Sequence, residues 1–130
     1  MPTKALPYKY LALFYALLIF VVSAIPSLTP PNLGFVLQDK ILHFIEYSLF
    51  SFLLFLAFFT SGRQFLKKNF LLLSCLIGIA YAVTDEIHQG FVPGRSSEFW
   101  DFVADSLGII VVQLCVWLYL KIKKNRQTSP

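Results

Sequence analysis

Charge is what this 130-residue sequence has least of: Asp, Glu, Lys and Arg together make up 14% of it, and only seven residues are acidic. A soluble domain carries about 25% charged residues to keep its surface hydrated, so this composition excludes an ordinary water-soluble fold. Cysteine is scarce as well. Cys75 and Cys115 lie inside apolar runs, without the spacing of a zinc finger or a disulfide framework. A net charge of +4 would fit nucleic acid, but the basic residues stand at the ends of apolar runs and form no basic face, so no nucleic-acid partner is expected. No G-x-S-x-G elbow, Walker loop or H-E-x-x-H motif is present, which leaves no named reaction class supported.

What is abundant is hydrophobic sequence, at 57% of residues with 17% aromatic. Crossing a bilayer takes about 20 apolar residues per helix. Four runs approach that length, near 10–25, 40–60, 70–88 and 99–120, and predict an all-α, four-helix transmembrane bundle forming a single membrane domain over residues 1–130. Nine of the eleven basic residues fall before the first run, between the second and third, or after the fourth. Cytoplasmic loops collect Lys and Arg, so both termini are expected inside, with Lys40 and Arg95 on the outer side. The first run also resembles a signal peptide, with Val22-Ser23-Ala24 as a cleavage site. Retention as an anchor is the expectation; cleavage would leave three spans. The closing Gln127-Thr128-Ser129-Pro130 reads as a short disordered polar tail.

All seven acids and both histidines sit near the outer ends of the spans or in the second outer loop, and the inner half contains no acid. A carboxylate at bilayer depth costs about 2.5–3.5 kcal/mol on insertion scales, so such groups face a bundle interior or a wet cavity. Asp39, His43, Glu46 and Tyr47 fall on one helical stripe, Asp85 and Gln89 on another, and Thr84 and His88 on a face adjoining the latter. Asp101, Asp105 and Gly108 line a third stripe, where the glycine permits close helix approach. The Pro93-Gly94 turn is expected to fold Arg95 back over the resulting outward-opening pocket, toward Asp85, Glu86 and Asp101.

Histidine exchanges protons near neutral pH, so His43, Glu46, Asp85 and Asp101 are the candidate catalytic residues, with Glu46 or Asp39 orienting the imidazole. Asp39, Lys40, Tyr47, Glu86, His88, Gln89, Arg95 and Asp105 are candidate substrate-binding residues, Arg95 gripping an anionic group. Taken singly, Lys40 reads as an interfacial anchor, Tyr47 as packing and Glu98 as a solvated side chain. A divalent metal is conceivable from His43, His88, Asp85, Asp101 and Asp105, but their spread over three helices defines no ligand set, and no metal ligand is assigned.

Three motifs, Asp39-Lys40-x-x-His43-Phe44-x-x-Tyr47, Asp85-Glu86-x-x-Gln89-x-Phe91-Val92-Pro93-Gly94-Arg95 and Asp101 through Gly108, follow one another in this order. Together they resemble the VanZ-like family of small bacterial membrane proteins, one member of which is associated with resistance to the glycopeptide teicoplanin. Resemblance implies the bacterial cytoplasmic membrane and a cell-envelope context, and no reaction. Asp105 stands where the family usually has Asn, and this second carboxylate beside Asp101 needs a proton, a cation such as Arg95, or a metal. Two functions compete: an enzyme acting on a lipid-linked or other anionic envelope substrate, or a non-catalytic ligand-binding or accessory membrane protein. Transport ranks behind both, for want of broken helices and of polar residues in the inner half.

Overall fold

A computed structural model describes residues 6–29, 32 and 34–128, with side chains from residue 8 to residue 127. Lys4, Pro30, Pro31, Ser129 and Pro130, which entered the sequence reading, lie outside the described residues. Five helices run in chain order: α1 (Leu6–Ser23), α2 (Gln38–Phe59), α3 (Gln64–Lys68), α4 (Phe70–Gln89) and α5 (Phe99–Thr128). No strand occurs among the described residues.

Three helices, α2, α4 and α5, are long and apolar enough to cross a membrane, and α1 contributes the shorter apolar stretch Tyr8–Ser23. Phe14, Leu72, Ile110 and Trp117 stand exposed on the outside of the bundle. Water would not tolerate so continuous an apolar surface, whereas lipid tails match it.

Helix α2 is the axis of the fold, packing against α1, α4 and α5. Tyr47, Phe50, Leu53 and Leu54 from α2 meet Ala82 of α4, Ile109 of α5, and Ala12 and Ile19 of α1 in one core. Helices α2 and α5 approach closely, since a Cβ on Gly108 would collide with the Phe44 carbonyl oxygen and stand 2.9 Å from Ser48 Oγ. The small residue therefore fixes both spacing and register, as the sequence pattern foretold.

Several boundaries differ from the sequence reading. The basic connection after α2 is not all loop, because Gln64–Lys68 forms a helical turn and Leu73 N–H donates to Asn69 O at 2.9 Å, leading into α4. Helix α5 continues past Leu120 through Lys121, Lys123, Lys124 and Arg126 to Thr128, so Gln127 and Thr128 belong to a helix and not to a disordered tail. Lys, Arg and Gln are good helix formers, and basic side chains near a helix C-terminus complement its dipole. Deeper in the bundle, Gln113 Nε2 donates to the backbone oxygen of Ser51 at 3.0 Å and to Ser51 Oγ at 2.8 Å. The half of the bundle away from the acids thus holds no acid but does hold buried polar groups.

Candidate functional site

The acidic ends of α2, α4 and α5 gather at the end of the bundle carrying the α1–α2 and α4–α5 loops. These two loops touch: Ser27 N–H donates to Pro93 O at 3.1 Å, with Ser27 at φ 53° and Gly94 at φ 75°. Gly94 is required there, since a Cβ would run into Ser27. The Pro93-Gly94 turn and the N-terminal connection thereby roof the site jointly.

Lys40 is the hub of the outermost layer. Its ammonium group donates to Asp39 Oδ2 at 3.1 Å, to Glu98 Oε2 at 2.8 Å and to Asp101 Oδ1. Lys40 is thus more than an interfacial anchor, while Glu98 is solvated as expected and in addition held in an ion pair. Hydrogen bonding to Lys40 keeps the Glu98 carboxyl below its usual range.

One turn along α2, His43 Nδ1 lies 3.0 Å from Asp105 Oδ1, while Nε2 is 3.9 Å from Asp101 Oδ2, beyond hydrogen-bond reach. The residue orienting the imidazole is therefore Asp105, not Glu46 or Asp39. Sequence spacing favoured those two because they share a helix with His43; the bundle instead aims the ring across the α2–α5 contact. The group beside the second carboxylate of α5 is likewise the His43 imidazole and not Arg95.

Asp85 collects three donors: Ser23 Oγ at 2.6 Å on Oδ1, and Tyr47 OH at 3.2 Å and Gln89 Nε2 at 3.0 Å on Oδ2. Tyr47 is both packing and polar, fully buried in the core with its hydroxyl on Asp85. Ser23 was not among the candidate residues; it stood out only as part of a cleavage-site pattern. Its position at the last turn of an apolar helix carried no signal of a partner 62 residues away.

Arg95 departs from expectation. Its Nη1 donates to the Leu28 carbonyl at 3.0 Å and its Nη2 to Gln89 Oε1 at 3.1 Å, and among the described residues it forms no ion pair with Asp85, Glu86 or Asp101. Lys40 holds Asp101, the hydroxyls and amide satisfy Asp85, and Glu86 Oε2 accepts Ser97 Oγ at 3.2 Å and the Glu98 N–H at 3.1 Å. The turn does deliver Arg95 to the site, but onto neutral acceptors.

His88 is also placed elsewhere. Its ring stacks on Phe20 at a centroid distance of 4.6 Å, and it lines neither of the cavities below. A step of 100° per residue turns it away from the face that Asp85 and Gln89 share. Thr84 is exposed and donates to Tyr81 O at 2.8 Å.

A cavity of about 220 Å³ reaches inward between Ser23, His43, Glu46, Asp85 and Arg95. A second, of about 280 Å³, adds Asp101 and Ser96 and shares Asp39, His43, Gln89 and Arg95 with the first. His43 and Arg95 thus face a common hollow, with Glu46 at its inner part and Asp101 at its outer part. Such a hollow offers an imidazole, carboxylates and a guanidinium to one bound group.

No curated protein and no solved structure matches this chain. The family model described as VanZ/LLP1 matches residues 9–120, a span that includes every polar stripe described above. By that match over most of its length, the chain belongs to the VanZ/LLP1 family.

Proposed function

We propose that the chain works as a single four-span domain of the bacterial cytoplasmic membrane, both termini inside, with its polar hollow open to the outer side. There it takes the anionic group of a lipid-linked or other cell-envelope substrate. One observation carries this reading: Arg95 sits in the cavity wall on two carbonyl oxygens, with no carboxylate in ion-pair contact with it among the described residues. Three of the five guanidinium N–H groups remain to receive an anion, and a planar fork suits phosphate or carboxylate. An acyl tail would stay in the bilayer while the headgroup reached Arg95. His43, oriented by Asp105, is the group able to give or take a proton beside it.

The test uses a host in which the protein alters susceptibility to an envelope-directed glycopeptide, with membrane levels checked by immunoblot. Arg95→Lys is expected to abolish the phenotype, because an ammonium cannot reproduce the bidentate fork. His43→Gln separates the two modes. Loss of the phenotype with retained binding of an anionic lipid-linked precursor in nanodiscs indicates chemistry; retention of both indicates a binding or accessory role. An unchanged phenotype in both Arg95→Lys and Arg95→Ala at normal levels would sink the proposal.

A further inference from the structure

Hydrogen bonding leaves two carboxylate oxygens of the cluster over. Oε1 of Glu86 and Oδ2 of Asp105 are buried and have no hydrogen-bond partner. Both residues are more than nine-tenths buried, Glu86 at 6% exposure and Asp105 at 0%. Their sister oxygens are engaged, Glu86 Oε2 by Ser97 and the Glu98 N–H, Asp105 Oδ1 by His43. A carboxylate oxygen removed from water with no partner is costly, and native structures leave few of them.

His43, Glu86 and Asp105 each offer one ligand atom, and these atoms lie within 4.8 Å of one another. We propose that these three side chains, one each from α2, α4 and α5, hold a divalent cation. One imidazole nitrogen with two carboxylates is a mixed nitrogen–oxygen set, which favours a borderline ion of the Zn²⁺ class over Mg²⁺ or Ca²⁺, and it leaves a coordination position for water or a ligand anion. A second trio, Asp39, His43 and Asp101, satisfies the same distance test. Lys40 already donates to both of its acids, whereas Glu86 and Asp105 each keep a buried oxygen without a partner, so the cation is placed there instead.

Neither His88 nor Asp85 belongs to the set: His88 stacks on Phe20, and Asp85 is satisfied by Ser23, Tyr47 and Gln89. The ion also gives Asp105 a role that the family's usual asparagine fills less well, since a carboxylate brings charge to a cation and an amide does not. Bound there, it ties three helices at one level. This inference does not rest on the envelope-substrate reading: with an ion bound, His43 serves as a ligand and not as the proton carrier of that reading, and ion binding and phenotype are measured separately.

The experiment uses the full chain in detergent with any affinity tag removed and Cys75 and Cys115 replaced by Ser, so that no added histidine or thiol captures metal. After chelator treatment, Zn²⁺ is titrated by equilibrium dialysis with elemental analysis, and folding is followed by helical circular dichroism. One Zn²⁺ per chain is expected, with a higher thermal midpoint in its presence. Glu86→Gln and Asp105→Asn should each weaken binding by about 10-fold or more, as loss of a metal-site partner typically does. His88→Gln should bind as the parent does. Should Asp105→Asn fail to fold, Glu86→Gln carries the comparison. Less than about one-tenth of an ion per chain, or undiminished binding in Glu86→Gln, overturns the proposal.

Discussion

Ser23 Oγ donates to Asp85 Oδ1 across 2.6 Å, joining the last turn of α1 to the most heavily hydrogen-bonded carboxylate of the site. The bond is buried, and it makes the first helix part of the cavity wall. Removing the hydroxyl leaves one lobe of Asp85 without its donor. Ser23→Ala is therefore expected to destabilise the bundle by about 1 kcal/mol, in the range for polar contacts within membranes, and to lower the thermal midpoint in detergent. The same contact predicts that α1 stays attached. Intact mass of protein purified from membranes should include residues before Ala24; a mature chain starting after it would contradict this.

Gly108 should accept no side chain. A Cβ there meets the backbone oxygen of Phe44, which cannot swing aside as a flexible side chain would, and presses on Ser48. Gly108→Ala is expected to cost about 1–3 kcal/mol through overpacking. Because His43 and Asp105 flank this contact on α2 and α5, separating the helices also lengthens the 3.0 Å bond between them. A melting temperature equal to the parent's would show that α2 and α5 do not approach this closely.

Lys40→Met should be more harmful than loss of a surface charge. The Lys40 side chain is one-quarter exposed, whereas the Asp101 side chain is only 5% exposed and would be left uncompensated. Breaking a buried pair from one side costs about 3–5 kcal/mol, while removing both partners often costs far less. The double variant Lys40→Met with Asp101→Asn should recover part of the lost thermal stability. A double variant as unstable as the sum of both single ones would show that the two groups act independently.

Acid should loosen the α4–α5 loop. Glu98 has its folded-state pKa lowered, chiefly by the hydrogen bond from Lys40 and against an opposing contribution from nearby Asp39. A depressed carboxyl contributes stability that is present above its unfolded value of about 4.3 and is lost as pH falls through the folded value. Trp100, two residues away, reports the change by fluorescence in a Trp117→Phe background. A transition below about pH 4.3 is expected, absent in Glu98→Gln. A transition that persists in Glu98→Gln would assign it to another acid.

Orientation follows from the basic residues. In a background lacking Cys75 and Cys115, an impermeant thiol reagent added to intact cells should label Ser96→Cys and miss Asn69→Cys. The reverse pattern would place the polar cavity on the cytoplasmic side.

Much of this arrangement is written in the sequence, because helical periodicity decides which residues share a face. The spacing of Asp39, His43, Glu46 and Tyr47, the pairing of Asp85 with Gln89, and the position of Gly108 below Asp101 and Asp105 all follow from about 3.6 residues per turn. Low charge and long apolar runs dictate helices suited to lipid, and the Pro93-Gly94 turn is enough to bring Arg95 to the cavity. Periodicity says nothing of how far one helix rotates or slides against another. That is set by packing, above all by the contact of Gly108 with Phe44 and Ser48. Only this packing gives His43 to Asp105 and not to Glu46, places Ser23 on Asp85, gathers three carboxylates around Lys40, and turns His88 onto Phe20. It also leaves Arg95 on neutral carbonyls, with Asp85 turned to Ser23, Tyr47 and Gln89 and Asp101 to Lys40.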